Sequence, residues 1–229
     1  MIEDPPLLKI KRNFPRPDAD LVAKLTGVAT GYVVDCLDGS GAMGHQIKPI
    51  GQTPNAFCGV AVTCDTGPAD NLAVFAALDI AQAGDVVVIA TGDHRSAAVI
   101  GDMVMGMAKN RGVVAVVTDG MVRDIPGLEG VGLPCFAAGV TPNSPARNGP
   151  GTAGLPVIAG GVSVSAGDVV VGDQDGVVVV PGHMAADIAA RLDEVRTAEA
   201  DLDAKVMAGL EIPDFVKDLL ESDRVVEVE

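Results

Sequence analysis

At 229 residues, 48% of them hydrophobic and with a positive mean hydropathy, the chain is long enough to bury one substantial core, so disorder is excluded for most of it. Its 31 acidic residues against 16 basic ones give a formal charge of −15, which leaves no basic footprint for phosphate backbones and sets nucleic acid aside as a partner. The N-terminal residues hold no apolar run of signal-peptide length and no segment offers roughly 18 to 20 uninterrupted apolar residues, so a soluble, cytoplasmic protein with no membrane partner is expected. Cys36, Cys58, Cys64 and Cys135 form no CxxC pair and sit in apolar surroundings, which fits reduced core thiols rather than zinc ligands or disulfides.

Prolines at 5, 6, 15 and 17 make residues 1–17 an extended arm, and a helix follows over 18–26 with Asp18 as its N-cap. A second helix is expected over 30–37, stopped by Gly39 and Gly41. Residues 58–64, CGVAVTC, read as a strand. Residues 69–83 carry Leu72, Phe75, Ala76 and Ile80 on one helical face and stop at Gly84, which turns the chain into a buried strand ending at Ala90. Val99, Ile100, Met103, Val104, Met107 and Ala108 recur at helical spacing, predicting a helix over 99–108 that ends by Gly112. Buried strands are expected at 113–118 and 134–138. Helices alternating with strands in this way imply parallel pairing and the α/β class.

Beyond this the composition changes. Residues 142–154 are rich in Pro, Gly, Asn and Ser and read as a long loop, followed to Pro181 by short strands with tight turns. Asp168, Asp173 and Asp175 lie beside glycines there, and turn chemistry accounts for them better than calcium, because the EF-hand ligand spacing is missing. A helix over 184–208 closes the compact body, giving one domain over 18–209 and a C-terminal tail over 210–229 that either packs on a neighbouring subunit or is solvated.

Three charges stand on otherwise apolar framework segments. Asp102 lies off the apolar face of its helix, near the start, where a carboxylate complements the macrodipole for about 0.3–1 kcal/mol. Arg123 and Asp124 follow a Gly120-containing turn after the 113–118 strand, and ligands of parallel α/β sheets collect at the carboxyl ends of strands. Taken singly, a dipole partner and a surface ion pair explain them. Taken together, the two carboxylates are hard oxygen donors for one divalent cation, and Arg123 is placed to neutralise an anionic substrate or a developing enolate. Backbone N–H groups around residues 101–104, Gly101, Asp102, Met103 and Val104, suit a substrate carboxylate at a helix N-terminus. Asn71 fits a helix cap better than a substrate contact. His94, in TGDHRS, has a general-base reading near neutral pH but fits an exposed loop residue better, and Arg95 beside it reads as a solvated charge rather than a second anion contact.

An Asp, twenty residues and then Arg-Asp, as in Asp102 with Arg123 and Asp124, resembles the active-site pattern of the class II pyruvate aldolases that act on 4-hydroxy-4-methyl-2-oxoglutarate and 4-carboxy-4-hydroxy-2-oxoadipate. That family shares its fold with the regulator of RNase E activity A. GVVAVVTDGMVRD and GDVVVGDQDGVVVVP are similar to its best-preserved segments, and the similarity runs from about residue 26 to 209. The resemblance implies a swivelling β/β/α fold, a homotrimer or homohexamer with the site between subunits, and a 2-oxo acid substrate. It implies Mg²⁺ or Mn²⁺ bound directly by Asp124 and through water by Asp102, with Arg123 on the enolate oxygen. It also implies proton-transfer glutamates from the adjacent subunit, of which Glu199 occupies the C-terminal position. The segment ATGYVVDCLDGSG has only Asp35 and Asp38 where the aldolases carry glutamates, and in this it looks more like the regulator branch. A metal-dependent lyase with oxaloacetate decarboxylase side activity is therefore expected. The competing reading is a non-catalytic, protein-binding regulator of an RNA-degrading enzyme. A quinone-precursor methyltransferase has little support, because no Gly-rich loop with an acidic ribose partner is present.

Overall fold

Valine-rich segments build the sheets. The computed structural model describes residues 6–228, so residues 1–5, including Pro5 of the expected arm, and Glu229 lie outside the described residues. In chain order the elements are β1 (Leu8–Ile10), α1 (Ala19–Leu25), α2 (Thr30–Cys36), β2 (Lys48–Pro49), β3 (Phe57–Asp65), α3 (Leu72–Ile80), β4 (Asp85–Ala90), β5 (Ala98–Ile100), α4 (Asp102–Asn110), β6 (Ala115–Thr118), β7 (Met121–Val122), α5 (Ile125–Val131), β8 (Cys135–Ala137), β9 (Gly139–Val140), β10 (Gly151–Ala153), β11 (Val157–Ala159), β12 (Val162–Val164), β13 (Val169–Asp173), β14 (Gly176–Val180), α6 (Ala185–Met207) after a 3₁₀ turn over Gly182–Met184, and α7 (Asp214–Leu220).

The parallel pairing expected from the alternating elements is present: β3, β4, β6 and β8 run parallel in that order. Side-chain alternation along these strands divides the core into layers. Val87, Ile89, Val116 and Cys135 face α3, α4 and α5. Val86, Val88, Ala115, Val117 and Phe136 face the opposite way, onto Val157, Val164, Val170, Val177 and Val179 of the antiparallel strands β11 to β14. The far side of β13 and β14, through Val169, Val171, Val178 and Val180, carries α1, α2 and the first turns of α6. The sheet reaches this second layer through β3, whose Phe57–Val60 half pairs with β13 while Cys64 and Asp65 pair with β10. This is the swivelling β/β/α arrangement in a single mixed α/β domain.

Several elements differ from expectation. The proposed helix over 99–108 is instead a strand, β5, followed by a helix that starts at Asp102. Val104, Met105 and Ala108 form its buried face, while Met103 and Met107 are exposed. The apolar run Ala97–Ile100 satisfies burial as a strand equally well, which periodicity over so few residues does not resolve. The loop over 142–154 contains β10, which pairs with β1 of the arm and with β3. The arm is tied down further on: Arg16 donates to both oxygens of buried Asp85 at 2.6 and 2.9 Å. Only the first turns of α6 pack, through Ala185, Ile188, Ala189 and Leu192, and its C-terminal half is exposed rather than closing the body. The tail holds a short helix, α7, with Phe215 and Leu220 exposed. Asp18 stands at the N-cap position of α1 without a side-chain cap bond.

The four cysteines are free. Burial pushes the thiol of Cys58 up to about 11 and that of Cys135 to about 12, so neither is ionised near neutral pH. The glycine-flanked aspartates serve the turns as expected, Asp168 accepting from Ser165 N and Gly182 N. Among the described residues no helix is long and apolar enough to cross a membrane.

Candidate active site

Beside the main sheet lies a second one of three short parallel strands in the order β5, β7, β9. Each of the main-sheet strands β4, β6 and β8 is followed by one of these short strands, so the chain visits the side sheet three times at the same level. The carboxyl ends of β5 and β7 lead to Gly101-Asp102 and Arg123-Asp124, and β9 leads into the 141–147 segment. Arg123 N donates to Ile100 O at 3.1 Å and Thr141 N to Val122 O at 2.9 Å, which fixes the three ends side by side. The sequence reading attached Arg123 and Asp124 to the 113–118 strand. They belong instead to β7, the separate strand after the Gly120 turn, but the rule that ligands gather at carboxyl ends of parallel strands holds for it.

A cleft of about 290 Å³ opens there. Gly101, Asp102, Met103 and Val104 line one side, and Arg123 and Asp124 the other. The structure thus brings together six of the seven residues assigned to the site from the sequence. The seventh, Glu199, is exposed on α6 and does not line the cleft of its own chain. Of the two aspartates found in place of glutamates, Asp38 pairs with Arg191 at 2.7 Å and Asp35 is exposed on α2. His94 bonds Ser96 Oγ at 2.8 Å, and Arg95 is held by Asp119 O and Asp93 rather than being free in solvent. Neither lines the cleft.

Arg123 and Asp124 are set with care for position. Asp124 begins α5 in the left-handed region, φ 64°, a conformation that costs of order 1 kcal/mol outside glycine. Its ion pair with Arg123, 3.2 Å long with both side chains more than a third exposed, returns at most about 1 kcal/mol. A Cβ at Gly101 would overlap Asp124 Oδ2 and crowd Arg123 where those side chains now stand. Gly127 on α5 plays the same part for Asp102, whose carboxylate lies where that glycine's Cβ would be. Each carboxylate is thus packed against a glycine of the facing segment.

Three further polar residues stand in the wall. Ser144 accepts a hydrogen bond from Arg123 Nη1, and the Arg147 guanidinium lies over the Phe75 ring, 5.3 Å from its centroid. Both were hidden in the segment read as a plain loop. The signal was there, since Arg147 is the one charged residue between Glu129 and Asp168. Asp70 clamps that segment, accepting from Leu72 N at 2.8 Å, Asn148 N at 2.6 Å and Gly149 N at 3.2 Å. The third is Asn71. It occupies the N-cap position of α3 but makes no cap bond; Nδ2 donates to Val99 O at 3.1 Å, and the buried Oδ1 has no partner.

This donor set suits a divalent cation of the Mg²⁺ or Mn²⁺ kind. Such ions take one or two carboxylates and keep several waters. Asp102 and Asp124 provide the carboxylates, and among the described residues no group of three or more His, Cys, Asp or Glu side chains gathers to form a denser cage.

Fold and cleft define an α/β protein whose polar site sits at the carboxyl ends of a small parallel sheet. The chain belongs to the RraA-like family, described as Aldolase/RraA, which it matches over residues 30–179. It is 34% identical over 191 residues, 83% of this chain and 89% of the relative, to a Halalkalibacterium halodurans protein named "Putative 4-hydroxy-4-methyl-2-oxoglutarate aldolase". Among solved structures it is similar to Streptomyces coelicolor RraAS2, an unusual member of the RNase ES inhibitor RraA family, with a TM-score of 0.73 and 29% identity over 83% of this chain and 100% of that one. The RNA-processing inhibitor RraA from Thermus thermophilis aligns with a TM-score of 0.61 and 28% identity, covering 67% of this chain and 93% of its own.

Proposed function

We propose that the protein is a divalent-metal-dependent lyase that cleaves a 4-hydroxy-2-oxo acid to pyruvate and a second oxo acid, with oxaloacetate decarboxylation as a side activity. The observation that carries this reading is the convergence of Asp102, Arg123 and Asp124 on one cleft at the carboxyl ends of β5 and β7. The relative named as an aldolase supports it.

Asp124 would hold the cation directly and Asp102 through water. The cation's contribution is Lewis-acid withdrawal of electrons toward the 2-oxo group. The remaining steps fall to the protein. N–H groups at the start of α4, from Gly101 to Val104, receive the substrate's 1-carboxylate. When the C3–C4 bond breaks, its electron pair passes through C3 toward the C2 oxygen, where the Arg123 guanidinium stabilises the developing enolate charge. The C4 hydroxyl gives up its proton as the new C=O forms, and C3 later takes a proton to yield pyruvate. Glu199 of the partner subunit is the group assigned to this proton traffic, which requires a homotrimer or homohexamer with the cleft at the subunit boundary. Arg147, in the same wall as Arg123, offers a second guanidinium for the further carboxylate of a dicarboxylic substrate.

The test is pyruvate formation from oxaloacetate and from a 4-hydroxy-2-oxo dicarboxylic acid, followed with a coupled dehydrogenase in Mg²⁺ or Mn²⁺. Metal-dependent turnover that Asp124→Asn abolishes is expected, and asparagine also tolerates the left-handed backbone. Full activity in that variant, or no metal-dependent pyruvate at all, would sink the lyase reading. The second reading, a protein-binding inhibitor of an RNA-degrading enzyme, draws on the names of the two RraA structures. It has no use for two carboxylates and an arginine in a cleft.

A further inference from the structure

Asn71 is the one polar side chain of the cleft wall that is buried, at 2% exposure. Its amide orientation is fixed. Val99 O accepts only from an N–H, so Nδ2 must face it, and Oδ1 is left as an acceptor. Oδ1 is also the one buried side-chain nitrogen or oxygen without a hydrogen-bond partner among the described residues. An orphaned buried acceptor costs about 1–3 kcal/mol, more than a cap that Asn71 does not even make would contribute. The residue is therefore poorly explained as a structural element of α3.

The cleft narrows the choice of donor. Asp102 and Asp124 offer only acceptors, and the donors that share the wall make no hydrogen bond to Oδ1: Arg123 holds Asp124 and Ser144, and the Arg147 guanidinium lies over Phe75. The substrate's C4 hydroxyl is a poor candidate, because its single proton has to leave with the base during cleavage. Water held by a cation is a donor of the right chemistry. A cation bound by few carboxylates keeps several waters, and each needs acceptors for its hydrogens.

We propose that Asn71 is an outer-sphere metal residue, its Oδ1 accepting a hydrogen bond from a water of the hydration shell of the cation held by Asp102 and Asp124. Asn71 is thereby a positioning residue, and the inference rests on the lyase reading only for the identity of the cation site. Outer-shell partners of this kind are worth roughly 10- to 100-fold in metal affinity.

The test uses Mn²⁺ alone, with binding followed by calorimetry and by Mn²⁺ electron paramagnetic resonance on the full chain, without substrate. Asn71→Leu removes the acceptor and also the tether to Val99 O. Asn71→Asp loses the same tether and keeps an acceptor. We expect roughly 10- to 100-fold weaker Mn²⁺ binding in Asn71→Leu, and wild-type or tighter binding in Asn71→Asp. Melting temperatures of the metal-free variants identify any loss that comes from unfolding. Unchanged affinity in Asn71→Leu, or equal loss in both variants, would overturn the proposal while leaving the lyase reading intact. Failure of the wild-type protein to bind Mn²⁺ would remove the cation site itself, and both readings with it.

Discussion

Gly101 is the residue on which the site turns, although it contributes no side chain. Its φ of −143° is open to any residue, so substitution there is a matter of space rather than strain. A Cβ would meet the far end of Asp124 and the stem of Arg123, both of which can swing aside toward solvent. Gly101→Ala is therefore expected to fold with a melting temperature within a few degrees of wild type. Displacing those two side chains by an ångström is expected to lower kcat/KM roughly 100-fold. Steady-state kinetics beside a thermal melt checks both halves, and an active Gly101→Ala protein would show that neither side chain needs its present position. The aspartates and Arg123 were legible in the sequence because charge on an apolar framework asks for a reason. Ser144 and Arg147 were not, since a loop rich in Pro, Gly and Asn carries no periodicity to say which way a residue faces. Asn71 was legible as a helix start, and its missing cap bond is visible only in three dimensions.

At the scale of elements, two tertiary carboxylates do what local sequence does not. Helix α2 begins after Ala29, which has no side-chain acceptor, and Asp173 from β13 caps it instead, accepting from Thr30 N and Thr30 Oγ at 2.8 Å each. Burial alone would raise the Asp173 pKa. The bonds from Thr30, Asp175 and Gly176 outweigh burial and hold it below the ordinary value of 3.8. A depressed folded-state pKa means that the contribution is complete above the unfolded pKa and is lost as pH falls through the folded one. Asp173→Asn is thus expected to melt lower than wild type at neutral pH, by about 1 kcal/mol of stability, with the gap closing below pH 3.8. Melts at pH 7 and pH 3 measure it. Asp85, 1% exposed at the start of β4, holds the arm through Arg16 and also accepts from Gln82 N. Arg16→Ala leaves that buried charge without its counterion and should cost about 2–3 kcal/mol in denaturant unfolding. Arg16→Lys should recover little, because an ammonium does not reproduce the two-pronged contact. Strands β3, β4 and β6 were readable from their valine-rich runs and β8 from the apolar segment after Pro134, whereas β5, β7 and β9 were not. Strands so short have no period to detect, and β5 merged with the helix after it.

For the whole molecule, the unpacked C-terminal half of α6 and the exposed Phe215 and Leu220 of α7 leave apolar surface beyond the body of one chain. If Glu199 acts on a neighbour's cleft, Arg123→Ala and Glu199→Gln disable different chains' contributions to the same site. Mixing the two inactive variants after dissociation should then restore roughly a quarter of wild-type activity, since random assembly leaves that share of clefts with both residues intact. No recovery on mixing would exclude Glu199 from a neighbour's cleft. What the sequence determined by itself is the α/β class, the parallel pairing of the main strands, the free buried cysteines and the three charges that needed a common explanation. These follow from composition and local periodicity, which act over a few residues. The tertiary structure decided that β5, β7 and β9 form their own parallel sheet, that Arg147 and Asn71 stand in the same wall as Asp102 and Asp124, and that glycines 101 and 127 make space for the carboxylates. Those facts depend on which distant segments come within hydrogen-bond reach of one another, and nothing in the local pattern of any one segment encodes that.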